Sequence, residues 1–320
     1  MKRALFFFRR DLRLPDNTAL RGLAERNYEV IPCFCFDPSQ VEDNPYRADN
    51  AVQFMLESLE SLDREIRNAG GKLHFFYDKP ANVVESLADS IQAVAFNRDY
   101  TPFSKKRDEN ISSVCDQHSI ECFQYHDAFL TVPGSVLTGS GTTYKVFTPF
   151  KKRAIKEQDI PQPKTTLPAF TSVESEDRKT LFKRVLSSRK DTLKCVGGRD
   201  NAVSIVDDIE SYKNYEEERE YPYLDKTTHL SPYLKFGCVS PREVYAAVKN
   251  AFDESHGIIN ELYWRDFYGH LLDAYPRILN SNMKEKYDAV PWREDEEGLQ
   301  RWKEGRTGFP RSEEHTSELQ

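Results

Sequence analysis

The 320-residue sequence predicts an α/β fold: a Rossmann-like parallel sheet covered by helices, joined to an all-helical second part. Two observations carry this. Over roughly the first 130 residues, short apolar runs alternate with amphipathic helical stretches, the rhythm of βαβ units. Beyond about residue 200 the period turns helical, and the Ser231-Pro232 and Ser240-Pro241 pairs each set a capping hydroxyl before a first-turn proline.

The elements follow in order. Residues 4–8 form the first strand, followed by a polar loop and a helix from Thr18 with Asn17 or Asp16 as cap. Residues 30–36 form the second strand. A long amphipathic helix over 47–69 is ended by Gly70-Gly71. Strands at 72–77, 93–96 and 120–125 alternate with helices at 82–89 and 104–118. Residues 127–158 form a connection with two turn-rich spots, and 160–180, with three prolines and many polar residues, read as an exposed linker. Ser240 with Glu243 fits a capping box, and Gly237 suits a helix end. The expected division is 1–130 for the α/β domain, 131–199 for the connection, 200–310 for part of a helical domain, and 311–320 for a non-native tail.

The loop after the first strand reads Arg-Arg-Asp-Leu-Arg-Leu-Pro-Asp-Asn, with no G-x-G-x-x-G, and the sequence has no P-loop. The usual backbone cradle for a nucleotide phosphate is therefore missing. Arg9, Asp11, Arg13 and Asp16 read instead as a structural salt-bridge loop.

Composition narrows the function classes. Hydrophobic residues make up 38% and charged residues 30%, but 20 Phe and 16 Tyr supply core side chains, which argues against general disorder. A net charge of −7 does not favour nucleic-acid binding as a whole, yet leaves room for a local basic groove. No apolar run reaches transmembrane length, and the start, MKRALFFFRRD, is too short in apolar residues for a signal peptide. Six cysteines without C-x-x-C or metal-ligand spacing are read as reduced, with no metal site, in a cytoplasmic protein.

One stretch, ELYWRDFYGHLL at 261–272, sets Glu261, Trp264, Arg265 and Tyr268 on one helix face. A carboxylate, an indole, a guanidinium and a phenol in register fit two readings. One is an i,i+4 ion pair with half-buried packing residues; the other is the wall of a binding site.

Five stretches in order resemble the photolyase/cryptochrome family: RRDLRLPDN at 9–17, YKVFTPF at 144–150, TTHLSPYLKFG at 227–237, NELYWRDFY at 260–268 and EGRTGFP at 304–310. YKVFTPF and Glu261 make the chain most similar to the microbial class I cyclobutane pyrimidine dimer photolyases. The resemblance implies an antenna domain, a helical flavin domain, and light-driven splitting of pyrimidine dimers in DNA by an electron from reduced FAD. It makes Tyr215, Thr227, Thr228, His229, Leu230 and Ser231 flavin-contacting positions, and Arg219 a DNA-contacting arginine. It turns the 261–268 face into the lesion pocket. There Trp264 stacks on the dimer, Glu261 bonds a base edge, and Arg265 holds a phosphate or orients the pocket, beside Tyr268. Trp292 matches the outermost tryptophan of the electron-transfer chain. The expected partner is dimer-containing DNA, met by a monomer away from membranes.

The sequence also departs from the family. Phe103-Ser104 and Leu279-Asn280 stand where folate-binding members carry their contacts. A folate antenna is therefore not supported; a deazaflavin, FMN or no antenna stays open. After Pro310 the chain reads RSEEHTSELQ, which resembles translated adapter DNA and has no counterpart in the family. On that reading the parent protein is C-terminally truncated here, and residues 1–320 are expected to purify without flavin. A blue-light photoreceptor without repair activity and an inactive fragment are the alternative readings.

Overall fold

A computed structural model describes residues 2–309 except 43, 45 and 46. Five strands form one parallel sheet: β1 (Arg3–Phe7), β2 (Glu29–Cys35), β3 (His74–Phe76), β4 (Ala93–Asn97) and β5 (Glu121–Tyr125). Their spatial order is β3-β2-β1-β4-β5, the doubly wound arrangement. All five coincide with the sequence expectation to within two residues at either end. β1 and β4 are buried almost throughout, as apolar runs covered on both faces should be. One layer of core joins Phe6, Phe8, Leu20 and Leu59; the other joins Leu5, Phe7, Val94 and Ile111.

In a doubly wound sheet the ligand crevice opens where strand order reverses, beyond the carboxyl ends of β1 and β4. Here the chain's own polar groups fill that place. Asn97, at the end of β4, donates to Asp11 Oδ2 at 2.6 Å and to Asn17 Oδ1 at 2.9 Å. Arg13, 1% exposed, reaches Asp127 at 2.5 Å. Arg242 binds both Asp16 and Asp127 at 2.7 Å, and Ser240 donates to Asp16 at 2.6 Å. The loop after β1 is thus the structural ion-pair loop that its composition suggests, and it anchors the Pro241–Ala251 helix. Burial alone would lift the Asp127 carboxyl, but Arg13 and Arg242 hold it well below the usual carboxylate range.

Residues 160–177 are mostly exposed and irregular, as expected of a linker, but they do not run free. Val30 N donates to Ala169 O at 2.8 Å and Thr171 N to Val30 O at 2.9 Å, so the segment is pinned along β2 with Phe170 against the core. Prolines and polar residues signal a loop; a single aromatic anchor inside it carries no period to read.

From Arg178 onward the described chain is helical. Ser231 is the first residue of the Ser231–Phe236 helix and does not cap it, contrary to the sequence expectation; that helix ends at Gly237 with φ +70°, and Ser240 and Glu243 form the capping box as expected. Two compact units result, the first ending at Pro276 and the second beginning at Arg277. The second holds the Glu296–Lys303 helix, Trp292 and Trp302. The ten-residue tail lies outside the described residues.

Candidate functional site

The Gly257–Ala274 helix organises the site. Its buried side, Ile259, Tyr263, Phe267 and Leu271 among others, seats it in the core. A polar clip fixes its position. Asp266, fully buried, accepts from Leu130 N at 3.2 Å, Thr131 N at 2.7 Å and Thr131 Oγ1 at 2.8 Å. Burial pushes its carboxyl up to about 6. Gly134 N donates to His270 Nδ1 at 3.3 Å, which leaves Nε2 as the protonated nitrogen facing Thr131 Oγ1 at 3.0 Å. Gly269 lets the 127–134 segment come close: a Cβ there would lie 2.6 Å from Phe129 Cζ.

The four groups singled out on this helix divide into two neighbouring stripes. Glu261 and Arg265, with Ile258 and Leu262, line a cavity of about 330 Å³. Tyr215, Thr228, Leu230, Ser231, Leu234, Lys235 and Val244 complete the lining. Trp264 and Tyr268 project beside the cavity. Trp264 lies parallel to Phe147, centroids 3.6 Å apart and planes 8° apart, and stacks at 5.8 Å on Tyr268, which is 61% exposed. Successive helix residues turn by about 100°, so Trp264 and Arg265 diverge to opposite flanks of the Glu261 line.

Each polar group has a definite partner. Arg219 Nη1 donates to Glu261 Oε1 at 2.6 Å, and its guanidinium carbon lies 5.5 Å from the Tyr215 ring centroid. The bond to Glu261 raises the Arg219 pKa. Arg265 turns inward, donating to the Ala128 carbonyl and, at 3.2 Å, to the Leu234 carbonyl. Burial lowers its pKa. It ties the helix to its neighbours instead of reaching outward.

Four of the six expected cofactor contacts line the cavity: Tyr215, Thr228, Leu230 and Ser231. Thr227 and His229 turn to one another at 3.4 Å, and His229 meets Asp225 at 2.8 Å. His229 holds φ +50°, unusual outside glycine, so the 225–231 loop is strained beside the cavity. Trp292 is 72% exposed in the second unit.

The sequence reading did not single out Phe147, Lys235 or the Arg219–Glu261 pair as parts of the site. Lys235 was recoverable, since it follows a helix start already noted. Phe147 sits within a quoted motif but shows no periodicity. A pairing 42 residues apart leaves no mark on composition.

Residues 4–169 match the family described as DNA photolyase, and residues 258–311 match the FAD binding domain of DNA photolyase. The chain belongs to the DNA photolyase family. The deoxyribodipyrimidine photo-lyase of Halobacterium salinarum is 30% identical, over 96% of this chain and 69% of that protein. Among solved structures, an archaeal photolyase from Sulfolobus tokodaii with two FAD molecules superposes with a TM-score of 0.82 at 34% identity, covering 96% of this chain and 68% of its own. A class III photolyase from Agrobacterium tumefaciens gives 0.85 at 27%, covering 98% and 67%. The photolyase match to the FAD-binding family begins at Ile258 and so takes in the whole 261–268 face.

The cavity suits a flavin dinucleotide in kind. Leu230, Leu234, Val244, Ile258 and Leu262 offer apolar walls, Thr228, Ser231 and Tyr215 offer hydroxyls, and Lys235 offers a positive charge for phosphate. Its volume of about 330 Å³ is at the low end for ligand sites, roughly 300–1,000 Å³. No helix among the described residues is long and apolar enough to cross a membrane.

Proposed function

We propose that this protein repairs DNA in the light, splitting cyclobutane pyrimidine dimers as a deoxyribodipyrimidine photo-lyase of the microbial class I kind. One observation carries the reading. A single helix gives Glu261 to a cavity suited to flavin and gives Trp264 to an aromatic strip immediately beside it. The chemistry that reduced FAD supplies when bound is light-driven transfer of one electron.

Every other role falls to the chain. Tyr215, Thr228, Leu230 and Ser231 hold the cofactor, and Thr227 and His229 shape the loop that presents them. Trp264 offers a flat plate for a flipped-out dimer, worth about 1–3 kcal/mol per stacked base. The Glu261 carboxylate, oriented by Arg219, accepts a hydrogen bond from a base edge and lies where it can interact with charge developing on the dimer. Arg219 and Tyr268 border the DNA, and Arg265 orients the pocket by clamping two carbonyls. Trp292 serves as the outer electron-transfer tryptophan.

The division of labour assigns residues 1–130 to the antenna domain and 200–310 to the flavin and DNA part. A second, light-harvesting chromophore of unspecified identity accords with the two FAD molecules of the Sulfolobus neighbour. The protein acts as a cytoplasmic monomer. A photosensor without repair activity is the competing reading; Glu261 and Trp264 side by side favour repair. An oligonucleotide with a single thymine dimer, assayed in light and in darkness, decides between them: repair restricted to the illuminated sample supports the proposal.

A further inference from the structure

The function proposed for Trp264 needs its ring held flat and still, yet an indole on a solvent-facing helix stripe can turn about two side-chain bonds. The partner that stops it comes from another element. Phe147 is the first residue of the Phe147–Glu157 helix, and its ring covers one face of Trp264 at 3.6 Å and 8°. Phe147 also meets Phe267 edge-on, with centroids 5.9 Å apart. Phe267 follows Trp264 by three positions, so it lies on the flank of Trp264 away from Glu261 and Arg265. Phe147 therefore backs the indole from the flank away from the cavity, while Tyr268, at 5.8 Å and 23°, lies on the flank toward Glu261.

The element that supplies Phe147 is itself built to meet a polyanion. Lys145, Lys151, Lys152, Arg153 and Lys156 fall within twelve residues that hold no acid, in a chain of net charge −7. Among the described residues Lys151, Lys152 and Lys156 make no ion pair; Arg153 pairs with Glu157 at 2.5 Å. Lys151, four residues after Phe147, shares its helix face, and an unneutralised lysine beside a stacking aromatic suits a nucleic-acid groove.

We propose that Phe147 is a positioning residue of the lesion site: it locks the plane of Trp264 from a second helix, so that dimer recognition depends on Phe147 as much as on the helix that carries Trp264. This rests on the reading of Trp264 as the stacking plate.

The test has two arms. In residues 1–320 carrying Trp292→Phe and Trp302→Phe, Trp264 is the sole tryptophan. Phe147→Ala should then shift its emission to the red and raise acrylamide quenching several-fold, while Phe147→Tyr stays near the parent. Unchanged emission in Phe147→Ala would overturn the proposal without reference to DNA. In the second arm, Phe147→Ala should lower affinity for dimer-containing oligonucleotide about tenfold, within the range for one stacking aromatic, and leave undamaged DNA alone. Phe147→Tyr should restore it, and Phe147→Ala should add nothing to Trp264→Ala. Equal loss on both DNAs, or additive losses in the double variant with a normal thermal transition, would overturn the proposal. Full dimer preference in Trp264→Ala alone would instead overturn the site reading on which it rests.

Discussion

Arg219 and Glu261 meet at 2.6 Å across 42 residues of chain, joining the segment after Tyr215 to the helix that carries Trp264. Both side chains are more than a third exposed, 36% and 42%, so solvent screens the pair. Such pairs are worth about 0–1 kcal/mol. Its importance is therefore orientation. Glu261→Gln should shift thermal stability by no more than about 1 kcal/mol, measured by calorimetry. A larger loss would make Glu261 a structural residue.

Trp264→Ala should weaken binding to dimer-containing DNA by about 1–3 kcal/mol, the value of one stacking aromatic. Binding to undamaged DNA, set mainly by phosphates and salt, should change little. Fluorescence anisotropy with the two oligonucleotides measures both. Equal losses would assign Trp264 to packing alone.

Gly237 joins the cavity-lining helix to the loop after β1. Its φ is +70°, and a Cβ would lie 2.1 Å from the Arg10 carbonyl oxygen, a backbone atom that cannot swing away. Gly237→Ala should destabilise by about 2 kcal/mol or more, from left-handed strain plus backbone displacement. A melting temperature within 1 °C of the parent, roughly 0.3 kcal/mol for a domain of this size, would contradict the packing described.

The Asp127 cluster sets the response to acid. The folded pKa of Asp127 is depressed by Arg13 and Arg242, so its stabilisation is fully present above the unfolded value of about 4. It is lost as pH falls from there toward the folded value. Asp127→Asn at pH 7 should cost about 3–5 kcal/mol, because buried Arg13 loses its carboxylate partner and Arg242 is left with Asp16 alone. The gap between variant and parent should narrow below pH 4. A gap that is constant from pH 7 to pH 3 in urea titrations would refute the assignment.

Legibility in the sequence followed the range of the interaction. The five strands were readable because each is a short β-branched or aromatic run between polar turns, and the Ser240 capping box because its partners are three residues apart. The 261–268 face was readable from helical spacing, but its division into a cavity stripe and an aromatic stripe was not. That division depends on Phe147, which reaches Trp264 from 117 positions away. Likewise Arg242 finds Asp16 across 226 residues, and nothing local to either announces it. Arg265 shows the converse. Its spacing suggests an i,i+4 ion pair with Glu261, yet Glu261 pairs with Arg219 and the carbonyls of Ala128 and Leu234 draw Arg265 inward, because buried carbonyls need donors.

Repair yield per absorbed photon, compared between the parent protein and Glu261→Ala, tests the central claim most directly. The protein should be expressed at the length of its curated relatives and matched for flavin content. The parent should restore thymine dimers only under illumination. Glu261→Ala should bind the same amount of FAD but restore fewer dimers per photon, because the missing carboxylate acts on the dimer and on the charge it acquires. No light-dependent repair by the parent, or equal yields in the two proteins, would contradict the account. Loss of flavin from Glu261→Ala without a specific repair defect would move Glu261 from the substrate to the cofactor.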